Sequence, residues 1–292
     1  MVRKILLTGA SGGLGSRVLA QLVEDSGFII KAMAHRRPLN QNACETVFGE
    51  LLDPVTLMSA VEGCDVVLHM AALTHSPDES KYFKINHEGT QNLISACVEK
   101  GVKRLVFVST RSAQADGGSY ALSKLNAEEA VKKSGLQWII LQPAECFGPG
   151  SKDFINRLAN WVRKWPVIPC IGGKNCKLSP VHVDDAVAGI VSSLKIEGII
   201  NKTFVLAGPE TMTIEELIDR LCLFFKIKKG KVNLPLSMIS LFAQISSRMG
   251  MNIIMPDQIP RLACKKPDYD AKSGAELGFT PRKLEEGLKN MF

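Results

Sequence analysis

The chain has 292 residues, 46% of them hydrophobic, enough for one large α/β domain or a domain with a smaller appendage. No stretch approaches the roughly 18 apolar residues of a membrane-spanning helix. Met1 runs into a strand pattern without signal-peptide character, so a cytoplasmic protein with no transmembrane segment is expected. The net charge of +7 is dispersed, with few aromatics among the lysines and arginines to stack bases, which argues against nucleic acid as a partner.

The run Ile5-Leu6-Leu7 reads as a strand buried on both faces of a parallel sheet. Gly9-Ala10-Ser11-Gly12-Gly13-Leu14-Gly15 follows, and then Val18, Leu19, Leu22 and Val23 recur at helical spacing. Strand, glycine turn and helix is the context that cradles a pyrophosphate: glycines admit the phosphate, and a helix N-terminus offers N–H groups and partial positive charge. The spacing is Gly-x-x-Gly-x-x-Gly, not the commoner Gly-x-Gly-x-x-Gly, and a glycine turn that binds nothing is the alternative. Gly9, Ser11, Gly12, Gly13, Leu14 and Gly15 are the expected phosphate-loop contacts.

Strands are expected over 28–34, 46–48, 66–69, 105–108 and 138–141, with helices over 54–61, 80–99 and 120–133 between them. This alternation implies a doubly wound parallel (Rossmann) sheet, an α/β fold. The strand over 28–34 ends in His35-Arg36-Arg37 with no carboxylate for ribose hydroxyls. Arg36, helped by His35 or Arg37, suits a 2′-phosphate, so NADP is favoured with NAD as the alternative; a solvated basic turn is the bland reading. Tyr120-Ala121-Leu122-Ser123-Lys124 sets a phenol and an ammonium one helical turn apart. A phenol with a reference pKa of about 10 needs such a cation to exchange protons near neutrality.

After Gly148-Pro149-Gly150 the pattern loosens, with a helix near 154–164 and a Pro/Gly-rich stretch to Gly173. The chain is thus divided into a dinucleotide-binding domain, 1–150, and a mostly substrate-binding region, 151–292, interleaved with the sheet. Eight cysteines without a Cys-x-x-Cys pair read as reduced thiols. His182, Asp184 and Asp185 lack further ligands, so no metal is expected. The apolar stripe of 234–251, with Met238, Ile239, Leu241, Phe242, Ile245 and Met249, reads as core or lid, or else as a membrane or partner surface.

Further motifs carry a family resemblance. They are His69-Met70-Ala71-Ala72, Asn86 through Asn92, Phe107-Val108-Ser109-Thr110, Pro143 through Gly150, Val181-His182-Val183-Asp184-Asp185 and Glu276 through Pro281. With the glycine loop and Tyr-x3-Lys, the chain resembles an extended short-chain dehydrogenase/reductase of the NAD(P)-dependent epimerase/dehydratase group. The resemblance implies that Tyr120 and Lys124 are catalytic, with Lys124 also on the nicotinamide ribose. Thr110, with Ser109 as fallback, would orient the substrate oxygen. It assigns Glu50 and Leu51 to the adenine side, Met70, Ala71, Ala72, Asn86, Ser109 and Pro143 to the cofactor, and Thr74, Arg111 and Glu145 to the substrate.

Three departures stand out. Thr110 and Tyr120 are only ten residues apart, Glu145 stands where an asparagine is common, and the arginine usual before Val181 is missing, Lys174 and Lys177 being the nearest cations. The implied activity is hydride transfer between nicotinamide and a hydroxyl or carbonyl of a sugar-like small molecule, a nucleotide sugar foremost. The alternatives are an NADPH-dependent reductase of a non-sugar carbonyl and a non-catalytic, dinucleotide-bound assembly protein similar to the complex I accessory subunit. A homodimer through the helices over 80–99 and 120–133 is the expectation the resemblance adds.

Overall fold

In the computed structural model, which describes residues 2–35, 39, 44–151, 153–172, 176–240 and 258–291, the apolar run near the N-terminus becomes β1 (Arg3–Thr8) at the centre of a sheet. Its side chains alternate between faces, and helices cover both. Ile5 and Leu7 join the core under α1 (Gly13–Val23) and α7 (Val183–Lys195). Leu6 joins the core under α2 (Pro54–Val61), α4 (Gly89–Glu99) and α5 (Gly118–Lys132). Burial on both faces is why the run is continuous rather than alternating.

The remaining strands are β2 (Phe28–Ala34), β3 (Glu45–Phe48), β4 (Val66–His69), β5 (Arg104–Val108), β6 (Gln137–Pro143) and β11 (Lys202–Leu206). They assemble in the order β11-β6-β5-β4-β1-β2-β3, all parallel. The expected Rossmann sheet is present. The order reverses at β1/β4, and ligands of such sheets bind outside the carboxyl ends of the strands at this switch point. Thr8 of β1 pairs in register with His69 of β4, so the residues following both strands meet there.

Local signals account for several boundaries. Pro54 begins α2, and the Asp53 side chain accepts from the N–H groups of Val55 and Thr56. The helix expected over 80–99 is divided: α3 (Ser80–Tyr82) and a π-helical stretch (Phe83–Glu88) precede α4. That wider stretch carries buried Asn86, and such stretches often accompany functional sites.

The second half returns to the sheet through α7 and β11, and otherwise builds a separate core. That core gathers α6 (Phe154–Lys164) and α8 (Ile214–Phe224) with the short pairs β8 (Val167–Ile171) with β13 (Gly230–Leu234) and β9 (Lys177–Leu178) with β12 (Met212–Thr213). A last pair, β7 (Cys146–Phe147) with β10 (Val181–His182), connects it to the sheet. Most of the apolar stripe expected over 234–251 falls outside the described residues, although Ile239 is buried in this second core. Cys64, Cys97, Cys170, Cys176 and Cys264 are buried free thiols. Among the described residues no helix is long and apolar enough to cross a membrane.

Candidate active site

The glycine loop turns directly from β1 into α1. Gly12 N donates to Gly9 O at 3.0 Å, and Ser16 N closes the first helical turn on Gly12 O at 2.8 Å. Where α2 has the Asp53 cap and α8 a reciprocal Thr213–Glu216 capping box, the N-terminus of α1 has no side-chain cap and no acidic residue in its first turn. Its N–H groups are left to an anion, which fits a pyrophosphate.

The three motif glycines differ in why they are glycine. Gly9 has a φ of +76°, and a Cβ there would lie 2.6 Å from Ala71 N; one on Gly15 would lie 2.1 Å from Gly9 O. Both are required by the fold itself. A Cβ on Gly12 would meet only Gly9 O at 3.3 Å, and Gly13 faces open space. Gly12→Val is therefore expected to give a folded protein that no longer binds dinucleotide in calorimetry, whereas Gly15→Ala destabilises the fold by about 3 kcal/mol in urea unfolding. Retained affinity in folded Gly12→Val would refute the phosphate-loop assignment.

Behind the loop lies a buried polar chain. Thr8 Oγ1 is 2.7 Å from His69 Nδ1 and accepts from the N–H groups of Met70 and Ala71, both at 3.2 Å. His69 Nε2 is 2.9 Å from Thr90 Oγ1, which donates to Asn86 O at 2.7 Å. This pattern assigns the proton of neutral His69 to Nε2, so Thr8 donates to Nδ1 and every member is satisfied. Burial, with the Lys124 charge, pushes His69 down to about 3 and keeps it neutral. The Asn86 amide accepts from Leu73 N at 2.8 Å and donates to Leu73 O and to Ser123 Oγ, at 3.0 and 3.1 Å. Asn86, expected beside the cofactor, is 1% exposed and joins the loop after β4 to α5. Ala72, like Met70 and Ala71, is half-buried on that loop.

At the other end of the cradle, His35 Nε2 and Glu50 Oε1 lie 3.7 Å apart, both about half exposed. A carboxylate thus stands beside the end of β2 after all, brought there from beyond β3. Leu51 is buried against Gly89. Arg36 and Arg37 lie outside the described residues.

The compact loop 111–117 delivers Tyr120 and Lys124 on the inner face of α5, 8% and 2% exposed. Lys124 Nζ donates to Val108 O at 2.9 Å and sits 4.0 Å from the centroid of the Phe107 ring. This bond ties the Tyr-x3-Lys helix to the strand end that carries Ser109 and Thr110. Burial brings the Lys124 ammonium down to about 7, with buried Glu128 opposing the shift. Thr110 is half-buried and its hydroxyl accepts from Ser112 N at 3.2 Å, while Ser109 is buried. Pro143 ends β6, and its carbonyl accepts from Arg111 N at 3.0 Å. The ten-residue spacing between Thr110 and Tyr120 therefore suffices to bring strand end and helix together.

Arg111 and Glu145, both expected to face substrate, face each other. Arg111, 1% exposed, donates to Glu145 Oε2 at 3.0 Å and to Ser179 Oγ at 2.5 Å. Lys266 Nζ donates to the other carboxylate oxygen at 2.9 Å, and Ser179 N to Oε2 at 3.3 Å. Burial alone would raise the Glu145 carboxyl, but Lys266 and Arg111 outweigh it and hold it at about 2. Thr74 is exposed, with its hydroxyl 2.9 Å from His75 Nδ1.

Lys266 and Arg261 are the participants that no motif flagged. The helix Gln258–Ala263 lies on α5, with the Arg261 guanidinium 4.0 Å from the Tyr120 ring centroid and donating to Thr74 O at 3.1 Å. Beside Arg111, the cation on Glu145 is Lys266; Lys177 is exposed, and Lys174 lies outside the described residues. His182, Asp184 and Asp185 have structural partners: His182 Nδ1 accepts from Asp184 N to cap α7, and Asp185 holds the Arg282 guanidinium at 2.7–3.0 Å. Among the described residues no group of three or more potential metal ligands comes together.

Comparison with known proteins agrees with this geometry. The profile of a family described as NAD(P)H-binding matches residues 9–152. UDP-glucose 4-epimerase of Vibrio cholerae is 23% identical, covering 99% of this chain and 94% of that protein. Arabidopsis thaliana 3beta-hydroxysteroid-dehydrogenase/decarboxylase isoform 2 is 24% identical, covering 86% of this chain and 52% of that protein. UDP-glucuronic acid 4-epimerase from Bacillus cereus, solved with UDP-glucuronic acid and NAD, has the same fold, with a TM-score of 0.76 at 20% identity over 98% of this chain and 97% of that one. With its Rossmann sheet, its match to an NAD(P)H-binding family over residues 9–152 and its Tyr-x3-Lys helix, the chain is similar throughout to NAD(P)-dependent enzymes of the extended short-chain dehydrogenase/reductase type.

Proposed function

We propose that the protein moves a hydride between a nicotinamide dinucleotide and a hydroxyl or carbonyl carbon of a sugar-like substrate, a nucleotide sugar foremost, as an epimerase or dehydrogenase. The observation that carries this reading is the Tyr120–Lys124 pair on the buried face of α5, tied by the Lys124–Val108 bond to the end of β5. A bound nicotinamide supplies or takes the hydride. Tyr120 gives a proton to the substrate oxygen, or takes one from it. Lys124 holds the electrostatic environment of the phenol, and Thr110 orients the oxygen. UDP-sugar relatives support the substrate class. The test is mass spectrometry of the released nucleotide, followed by turnover assays against nucleotide sugars and simple ketones. Activity on nucleotide sugars supports the proposal, and activity confined to ketones replaces it.

A second reading, a reductase of a non-sugar carbonyl, draws on the Arg111–Glu145–Lys266 cluster. A carboxylate held there is a poor neighbour for a diphosphate, and the chain is also 27% identical to Stenotrophomonas maltophilia 2-alkyl-3-oxoalkanoate reductase over 75% of its length.

For the cofactor we propose NADP, because the residues after β2 are His35-Arg36-Arg37. Glu50, 3.7 Å from His35, is the group that would serve NAD instead. The protein is expected to bind NADPH more tightly than NADH in fluorescence titration, with the preference collapsing in Arg36→Ala. Equal affinities in the unmodified protein would reverse the assignment in favour of NAD.

A further inference from the structure

We propose that Arg261 is a positioning residue for Tyr120, a second cation laid on the face of the phenol ring that favours its ionised form. The inference rests on the reading of Tyr120 as the proton-transferring group.

The geometry is specific. The guanidinium carbon stands 4.0 Å from the ring centroid, well inside the roughly 6 Å within which a cation is attracted to a ring face. A phenolate places more negative charge on that face than a phenol does, so the attraction strengthens as the proton leaves. The opposite requirement, that the arginine be held there, is met by the segment around it. Arg261 donates to Thr74 O at 3.1 Å, and Cys264 N closes on Pro260 O at 2.9 Å. Downstream, Lys266 is fixed on Glu145, Pro267 O lies 3.5 Å from an Arg111 nitrogen, and Asp268 accepts from Thr211 at 2.9 Å. The segment is therefore anchored on the loop after β4, on the Arg111–Glu145 pair and on Thr211, and it holds the guanidinium over the ring.

Among the described residues, the groups around the phenol explain why a second cation matters. Lys124 lies one turn along α5, Tyr82 meets the ring edge-on from α3 with centroids 5.7 Å apart, and Glu79 bonds Ser119 beside it. Tyr82 offers no charge, and Glu79 opposes ionisation. Lys124 is desolvated, and burial lowers its ammonium to about 7, so its charge fades as the pH rises toward the range where a phenol ionises. A guanidinium does not lose its proton in that range. Arg261 thus supplies the part of the field that Lys124 gives up.

The test reads Tyr120 directly and requires no substrate. The near-ultraviolet phenolate band is titrated in the full-length protein and in Tyr120→Phe, and the difference isolates Tyr120 from Tyr82 and Tyr269. The same pair is then measured with Arg261→Met and with Arg261→Lys. Arg261→Met is expected to leave about tenfold less phenolate at a given pH, a displacement of about one pH unit, while Arg261→Lys restores most of it. Arg261→Gln replaces the methionine variant if circular dichroism finds the latter unfolded. An unchanged midpoint in the folded neutral variant overturns the proposal, even if thermal stability falls, since a merely structural arginine would lower stability alone. Loss of turnover in Tyr120→Phe tests the underlying reading separately.

Discussion

Replacing Tyr120 by phenylalanine is expected to leave a folded, dinucleotide-binding protein whose turnover falls by about 10²–10⁴-fold, the usual contribution of a positioned acid–base group. The ring is 8% exposed and packs edge-on against Tyr82, contacts that phenylalanine keeps. Only the hydroxyl is lost, and with it the proton donor one turn from Lys124. Lys124→Ala is the sharper disturbance, since Nζ also bonds Val108 O, and it should weaken cofactor binding as well as turnover. Steady-state kinetics on the substrate found by the panel, together with calorimetric dinucleotide titration, separates the two. Undiminished turnover in Tyr120→Phe would exclude the proposed mechanism.

Glu145→Ala is expected to destabilise the protein by about 3–5 kcal/mol, because it leaves the buried Arg111 and Lys266 cations without their shared counter-ion. Their side chains are 2% and 4% exposed, so water cannot easily replace the carboxylate. The same cluster sets an acid limit. The Glu145 carboxyl sits at about 2 in the folded protein against an ordinary value of 4.5. A carboxyl lowered in this way contributes its full stability above about pH 4.5 and loses it as the pH falls toward 2, an effect of about 3 kcal/mol. Urea unfolding of both proteins between neutrality and pH 3 checks this. The parent should lose stability over that interval, and the variant should lack this part of the pH dependence. An equal urea midpoint for the two at neutral pH would show that the cluster contributes nothing net. The mutation also removes the partner of Lys266, so it should loosen the segment that carries Arg261.

The parts of the molecule legible in the sequence are those whose causes are local. Pro54 and the Asp53 cap bound α2 at residues expected from the sequence. The strand Phe28–Ala34 and the helix Phe154–Lys164 likewise follow from their own apolar patterns. Alternating strands and helices call for parallel pairing with right-handed crossovers, so the parallel character of the central sheet followed from the pattern, while its strand order and the edge strand β11 came from the folded chain. The glycine loop and Tyr-x3-Lys were readable because each is compact in sequence and sits in the right strand–helix context.

The tertiary structure decided what depends on distant partners. Gly12, Gly9 and Gly15 look equivalent in the motif, yet only the approach of Ala71 and of the loop to α1 makes Gly9 and Gly15 sterically obligatory. Asn86 reads as a cofactor residue by pattern, and only the fold shows its amide bonded to the Leu73 backbone from within a π-helical stretch. Glu50 is expected on the adenine side from the resemblance, but only the β2–β3 pairing brings it within 3.7 Å of His35. Arg111, Glu145 and Lys266 come from three separate segments, as do Arg261 and Tyr120 from two. Charged side chains of this kind carry no periodicity and can pair with any opposite charge or ring in reach, so only the folded chain selects the partner.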